Sequence, residues 1–543
     1  MVEEKDVQIQ VSDGVKIGVR IYRPNGEGPF PTLFAISPYR YDNNSLPAYP
    51  LFLWRETGPI EWYVEQGYAY VHADVRGTGF SEGTFELFSS REQRDLYEII
   101  EWIAAQRWSN GKVGGIGQSY YCMSQWFMGI QNPPHLACLA AYDGLNEPYR
   151  FMGYPGGIEA AFTAYWFNSS VRVSNLYPAN GDHPRYIERD MFLEMQKHPF
   201  YDDFWRERTA AENLDKISVP LFSIGVWAKQ DLHLEGNILG YLKARGPKKL
   251  AITGTPTAFS SMVDFADKEF HRKYLLPFYD KYLKGRKTSW DDRPNVEYVV
   301  RNTGKVRAFD SWPPTTKALR FYLAKGPSGT VTSLNDGSLS RKAAANGSAE
   351  GTSYSYPRPN WVLGVVPLGP QGPDPASGTL TFTSDALEND VEVAGNGKLT
   401  VYASTTRTDM DFLVKVSEQF AQTAEERAKG VQPRYFIATK GWLRASHAER
   451  DPRRSTADMP HYSHEKATPL TPGKIYKIEV PLLAIGYRFR KGSRIRVDIC
   501  EGDSPATDNL FFHFYRPDKI GTDTIYHNAE HPSELVLPIL NAD

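Results

Sequence analysis

Cysteine is scarce in this chain: Cys122, Cys138 and Cys500 are the three among 543 residues, and no C-x-x-C pair occurs. That argues against a disulfide framework and a thiolate zinc site. No run of about 18 apolar residues occurs, so no membrane-spanning helix is expected. The opening Met1-Val2-Glu3-Glu4-Lys5-Asp6 lacks a basic region followed by an apolar stretch, so a soluble, cytoplasmic protein is expected. Charge of one sign is also lacking: 62 Lys and Arg stand against 64 Asp and Glu, a formal net charge of -2 with no long block of either. Such a balance points away from nucleic acid or an anionic membrane as partner and toward a small molecule. There is no H-E-x-x-H, no G-x-x-x-x-G-K-[ST] and no dinucleotide fingerprint, so no cofactor is implied. His461 and His464, near Glu465, read as surface histidines of a loop rather than metal ligands. No internal repeat is visible.

The length suggests about three or four structural units. Short β-rich runs over 7–11, 16–22, 32–37, 69–73, 112–116 and 136–141 alternate with helical stretches, the pattern of a doubly wound α/β sheet. Leu96, Ile99, Ile100 and Ile103 mark a helix over 93–105. Aromatic and charged residues at helical spacing over 146–215 suggest a helical cap, after which strands over 219–226 and 248–253 resume. An amphipathic helix over 269–283, with His271 facing solvent, is stopped by Lys284-Gly285. The expected organisation is therefore a sheet domain over 1–145 and 216–290, a helical cap over 146–215, and an all-β sandwich over 291–543 with loops at 342–355 and 368–375.

Within the sheet domain, Lys112-Val113-Gly114-Gly115-Ile116 leads through Gly117-Gln118-Ser119 into Tyr120-Tyr121, a strand, a tight turn carrying serine, and a helix. This is the layout of a nucleophile elbow, although Tyr121 departs from the G-x-S-x-G form. The flanks include Ser37-Pro38-Tyr39, Asp74-Val75-Arg76-Gly77-Thr78-Gly79, Glu101-Trp102-Ile103 and Trp108-Ser109-Asn110-Gly111. Later come Thr408-Asp409-Met410-Asp411-Phe412, Gly441-Trp442-Leu443-Arg444 and Phe489-Arg490-Lys491-Gly492-Ser493. Together these resemble the cocaine-esterase and X-Pro dipeptidyl-peptidase group of α/β-hydrolases along nearly the whole chain, with a jelly-roll β domain at the C-terminus.

The resemblance implies that Ser119 is a nucleophile forming an acyl-enzyme, with the Tyr39 phenol and the backbone N–H of Tyr120 binding the oxyanion. Arg76 and Asp74 are read as structural. The family's acid follows a strand such as 221–227; Asp231 is the choice here, two residues late, with Glu235 or a shifted position as alternatives. The base should follow Gly254-Thr255-Pro256-Thr257, and there Ala258 stands, which cannot accept a proton. The favoured reading is a His→Ala replacement made to trap complexes, leaving an inactive form; natural loss or rewiring is the alternative, and His233 is a lesser candidate base. Trp166, Phe167, Trp227 and His233 are taken as substrate-pocket residues beside Tyr120. Asp143, Glu147 and Glu159 are options for holding a substrate ammonium group.

The expected activity is hydrolysis of a small-molecule carboxylic ester or amide. Family precedent runs from aryl and amino-acid esters to β-lactam side-chain amides and X-Pro peptides. A degenerate hydrolase serving as a ligand-binding protein, and an acyltransferase, are the rival classes. The family's β domain often mediates assembly, which leaves a homo-oligomer open.

Overall fold

A run of residues buried on both faces must pair with like strands and be covered by helices on each side. In the computed structural model this describes β3 (Phe30–Ser37), β4 (Ala69–Asp74) and β7 (Leu221–Val226), whose side chains are almost all buried. They join β1 (Val2–Gln10), β2 (Lys16–Arg23), β5 (Ser109–Gly115), β6 (Leu136–Tyr142), β8 (Lys248–Thr253), β9 (Val296–Val299) and β10 (Val306–Phe309) in one sheet of order β1-β2-β4-β3-β5-β6-β7-β8-β9-β10. Neighbours from β4 through β9 are parallel, while β1, β2 and β10 pair antiparallel. Helices Ser90–Ala104, Tyr120–Gln131 and Glu235–Lys243 supply crossovers. The carboxyl ends of β3, β5, β6, β7 and β8 thus share one sheet edge, where α/β folds place ligands. The structure describes residues 1–42, 56–177, 183–331, 335–345, 351–356, 378–503, 508, 511–514 and 516–540.

Several expectations are corrected. The sheet does not close near residue 290: β9 and β10 extend it to Phe309. The helix expected over 269–283 is two, Lys268–Tyr274 and Leu276–Lys284, broken where Pro277 removes a backbone donor. His271 does not face solvent. It is buried, with Nδ1 2.8 Å from the Tyr63 hydroxyl and Nε2 against the Phe265 carbonyl. The segment between β6 and β7 is helical but fragmented into short turns such as Tyr149–Gly153, Phe162–Tyr165 and Trp166–Arg172.

From Thr316 to Leu540 eleven strands form an all-β domain linked as one hydrogen-bonded network. Its spine is the antiparallel pair Val391–Thr405 and Tyr476–Phe489. Part of the loop expected at 342–355 is the strand Gly351–Tyr356, paired with Gly521–Tyr526, while the loop at 368–375 lies outside the described residues. His464 is buried beside His447 rather than on the surface. Among the described residues no helix is long and apolar enough to cross a membrane.

The two domains meet at the turn after β7. Trp227 packs edge-on against Tyr298, near Trp312, and so close to Gly486 that a Cβ there would lie 2.3 Å from the indole. The Glu235 carboxylate accepts the Ala484 N–H and an Asn396 side-chain N–H, and Gln230 donates to the Ala484 carbonyl. Lys440 of the β domain places Nζ 2.7 Å from Asp231 and 2.6 Å from Asp508. Removing the cation leaves two carboxylates facing each other in a largely dry site. Lys440→Met should therefore lower unfolding stability by about 3 kcal/mol in denaturant titrations, with Asp231→Asn restoring part of the loss.

Candidate functional site

The elbow is strained where the chemistry would sit. Ser119 has φ 59° and ψ −120°, a left-handed backbone rare for a residue with a side chain. Gly117 at φ +132° allows the turn, since a Cβ there would meet the Tyr121 Cβ at 2.2 Å. The bend is held by the Ser119 N–H donating to the Asp143 carbonyl at 2.8 Å and the Gln118 N–H donating to the Glu56 carbonyl at 2.8 Å. Tyr120 then begins the helix Tyr120–Gln131, so its N–H has no acceptor within that helix and points from the positive end of the dipole. The Tyr120 hydroxyl donates to Glu92 at 2.7 Å and its ring stacks on Phe88, which anchors the elbow.

Tyr39, just beyond β3, turns its phenol to this serine. The Trp166 indole N–H donates to the Tyr39 oxygen at 2.8 Å, and the Tyr39 ring packs edge-on against Tyr120 and Tyr121 of the elbow helix. Burial, then the Glu56 charge, push the phenol's pKa up, against smaller opposing effects of Trp166 and Ser119. It stays protonated and able to donate.

Trp166 thus acts by aiming Tyr39. Phe167 is fully buried beside Trp166, and Trp227 packs at the domain interface against Tyr298. Glu147 is taken by Arg150 and Arg454, and Glu159 bonds Gln196.

The expected acid is displaced. Asp231 points to Lys440 of the β domain, and Glu235 is spent on Ala484 and Asn396. The side chain that reaches the sheet edge from this turn is Lys229, whose Nζ lies 2.7 Å from Asp143 Oδ2. His233 places Nδ1 2.9 Å from Asp143 Oδ1, and Gln118 donates to Oδ2 at 2.7 Å. Asp143, the residue after β6, is therefore saturated. Burial would raise its pKa, but the charges of Lys229 and His233 and their hydrogen bonds hold it well below the usual carboxylate range. Burial outweighs the Asp143 attraction on His233 and lowers the imidazole's pKa.

Ala258 opens the helix Ala258–Ala266, capped by Thr257, and that helix packs against the turn Trp227–Lys229. The Ser261 hydroxyl donates to the Ala258 carbonyl at 2.7 Å and accepts from Gln118 at 3.1 Å, so position 258 is tied to the residue beside the nucleophile. Ala258 offers no proton acceptor, and the Asp231 carboxylate is engaged by Lys440.

One carboxyl at the site had no sequence signal. Glu56 belongs to no motif, yet its carbonyl accepts the Gln118 N–H at 2.8 Å and the Ser119 side chain is among the groups that lower its carboxyl's pKa. The residue is partly exposed, but its Oε2 is buried with no hydrogen-bond partner among the described residues. Burial pushes its pKa up to about 8, with the Lys229 charge pulling down and the Asp143 charge pushing up. Lys229 did leave a trace: a cation two residues before Asp231, where the family pattern wants an acid. Among the described residues no group of three or more His, Cys, Asp or Glu is arranged to hold a metal ion.

A strand-to-helix serine elbow at the carboxyl edge of this sheet defines an α/β-hydrolase of the serine class. The model of the S15 family, X-Pro dipeptidyl-peptidase, matches residues 13–256, and that of the X-Pro dipeptidyl-peptidase C-terminal non-catalytic domain matches 288–536. A cocaine esterase of Rhodococcus sp. is 23% identical, with 98% of both chains covered. A CocE/NonD family hydrolase from Staphylococcus aureus superposes with TM-score 0.81 at 26% identity, covering 99% of this chain and 94% of that one. An α-amino acid ester hydrolase, 20% identical, shares the fold with TM-score 0.74, over 99% of this chain and 96% of its own. The chain belongs to the cocaine-esterase and X-Pro dipeptidyl-peptidase family of α/β-hydrolases.

The raised Glu56 pKa has a stability consequence. A carboxyl whose folded pKa lies above its unfolded value destabilises the fold as pH rises through the interval between them. With a folded value of about 8 against an ordinary 4.5, Glu56→Gln should melt above the parent protein at pH 9. The gap should close at pH 4, where both forms are neutral, as measured by calorimetry.

Proposed function

We propose that this chain hydrolyses a carboxylic ester or amide of a small molecule through an acyl-enzyme on Ser119. One observation carries the reading: a serine on a left-handed elbow whose next residue, Tyr120, packs edge-on against a buried phenol that an indole holds in place. The Ser119 oxygen attacks the substrate carbonyl carbon, and negative charge moves onto the carbonyl oxygen. The Tyr39 hydroxyl and the Tyr120 N–H donate to that oxygen, each preorganised donor contributing roughly 3 to 4 kcal/mol in the transition state. Collapse expels the alcohol or amine, and water then releases the acid. The family names attached to similar proteins, an esterase and X-Pro peptidases, fit acyl transfer of this kind.

Substrate selection follows from what the site has left unspent. The Asp143 and Glu147 carboxylates are neutralised by cations within the protein, which disfavours the use of either to grip a substrate ammonium group. An uncharged acyl group suits the arrangement better.

The site reads as rewired rather than as an intact triad that lost one residue. An imidazole introduced at 258 would open a helix packed on the Lys229 turn and would not have Asp231 as its acid, because Asp231 is held by Lys440. In an intact triad the histidine is worth about six orders of magnitude in kcat, so restoring it should be conspicuous.

Three measurements with p-nitrophenyl esters and a fluorophosphonate probe test these points. Ser119→Ala should abolish labelling, and Tyr39→Phe should lower kcat by about a hundredfold or more with KM little changed. Ala258→His alone should gain less than about tenfold; a gain of several hundredfold would restore the intact-triad reading.

A further inference from the structure

A serine nucleophile needs a proton acceptor, and neither the expected histidine nor the expected acid is present at this one. We propose that Glu56 is the general base that takes the Ser119 proton, an inference that rests on Ser119 being the nucleophile. Its backbone engages the elbow, where the carbonyl accepts the Gln118 N–H at 2.8 Å, and the Ser119 side chain is among the groups that lower the carboxyl's pKa. Glu56 is itself held at φ 53°, an uncommon backbone for a non-glycine residue. Its second oxygen is buried without a hydrogen-bond partner among the described residues, although buried polar atoms are normally paired. An acceptor left unspent beside a nucleophile is the feature a base requires.

Two further basic groups reach the sheet edge through Asp143, and of these His233 is the rival acceptor, since only its Nδ1 is engaged among the described residues. Lys229 forms an ion pair with Asp143, and His233 directs Nδ1 to the same carboxylate. The Ser119 side chain acts on both the Tyr39 phenol and the Glu56 carboxyl, lowering the pKa of each. The groups acting on Glu56 are Lys229 after β7 and Asp143 after β6, with Tyr39, Tyr121 and Cys122 sensing its charge from the end of β3 and the elbow helix. Burial and these neighbours place its titration at about 8, near a working pH at which a base is most effective.

The balance is simple. The bond from Ser119 Oγ to the carbonyl carbon forms as the Oγ–H proton moves to the Glu56 carboxylate. The neutral carboxylic acid then returns that proton to the departing alkoxide or amine as the carbon–leaving-group bond breaks. In the second half, Glu56 takes a proton from water, hydroxide oxygen bonds to the acyl carbon, and the proton goes back to Ser119. No metal, oxidant or second substrate is needed.

The test uses a neutral fluorophosphonate, in which Ser119 Oγ bonds to phosphorus and fluoride leaves, so a role for Glu56 in gripping a cationic substrate cannot register. For the parent protein, the second-order labelling rate should rise with pH to a plateau with a midpoint near 8, as Glu56 ionises. Glu56→Gln should cut the plateau rate by about a hundredfold or more and flatten the profile, whereas Glu56→Asp should keep a sigmoidal profile at reduced rate. Melting curves establish that each variant is folded, and the parent's pH profile stands even where a variant is not. A parent protein whose Ser119 is never labelled defeats the nucleophile reading itself. Labelling of Glu56→Gln at the parent rate with an unchanged midpoint overturns the Glu56 assignment alone. Loss of the midpoint in His233→Gln, with Glu56→Gln unaffected, transfers the role to the imidazole.

Discussion

The Asp143 carboxylate is the point on which this site depends. Its backbone carbonyl receives the Ser119 N–H and so holds the elbow, while its side chain binds Lys229, His233 and Gln118. A buried carboxylate without partners would be strongly unfavourable, and three donors, one of them a cation, make it tolerable. The same satisfaction fixes geometry. With Lys229 drawn inward to Asp143, the turn after β7 sends Asp231, two residues on, outward.

That outward direction is useful because the β domain waits there. Lys440 bridges Asp231 and Asp508, Glu235 accepts the Ala484 N–H, and Trp227 fills the space beside Gly486. The turn after β7, where the sequence suggested a catalytic acid, is a docking element between the domains. Its two jobs compete for the same few residues, since a carboxylate engaged by a buried lysine cannot also orient an imidazole. Rigidity at the interface and a vacant acid position are thus two consequences of one change in direction.

Much of the fold was legible because its signals are local. The buried strands β3, β4, β6, β7 and β8 are short apolar runs between polar turns, and Gly117 before Ser119 marks the elbow whatever lies around it. Tyr39 could be placed because it follows β3 directly. The split at Pro277 was also written in the sequence, but the amphipathic pattern continues across it and masks the break. Strands β9 and β10 were missed because four-residue strands carry too little pattern to outweigh the amphipathic helix that precedes them. The site's charged residues were harder for a different reason. Which of Lys229 and Asp231 faces inward is decided by Asp143 on one side and Lys440 on the other, partners 86 and 209 residues from the side chains they hold. Glu56 has no neighbouring motif at all, and only the close approach of its loop to the elbow gives it meaning.

Charge bookkeeping explains why the histidine and the acid would be dispensable together. An imidazole base starts neutral and ends as a cation facing an oxyanion, a separation of charge that the triad's carboxylate exists to stabilise. A carboxylate base starts as an anion and ends neutral while the oxyanion forms, so one negative charge moves from Glu56 to the substrate oxygen and the net charge of the pocket is unchanged. Lys229 stays beside the starting anion, Tyr39 and the Tyr120 N–H meet the final one, and no orienting acid has a task. In a site of low effective dielectric, moving a charge between prepared positions is easier than creating a new pair. Once the base is a carboxylate, Ala258 and an Asp231 turned to Lys440 follow from the same electrostatics.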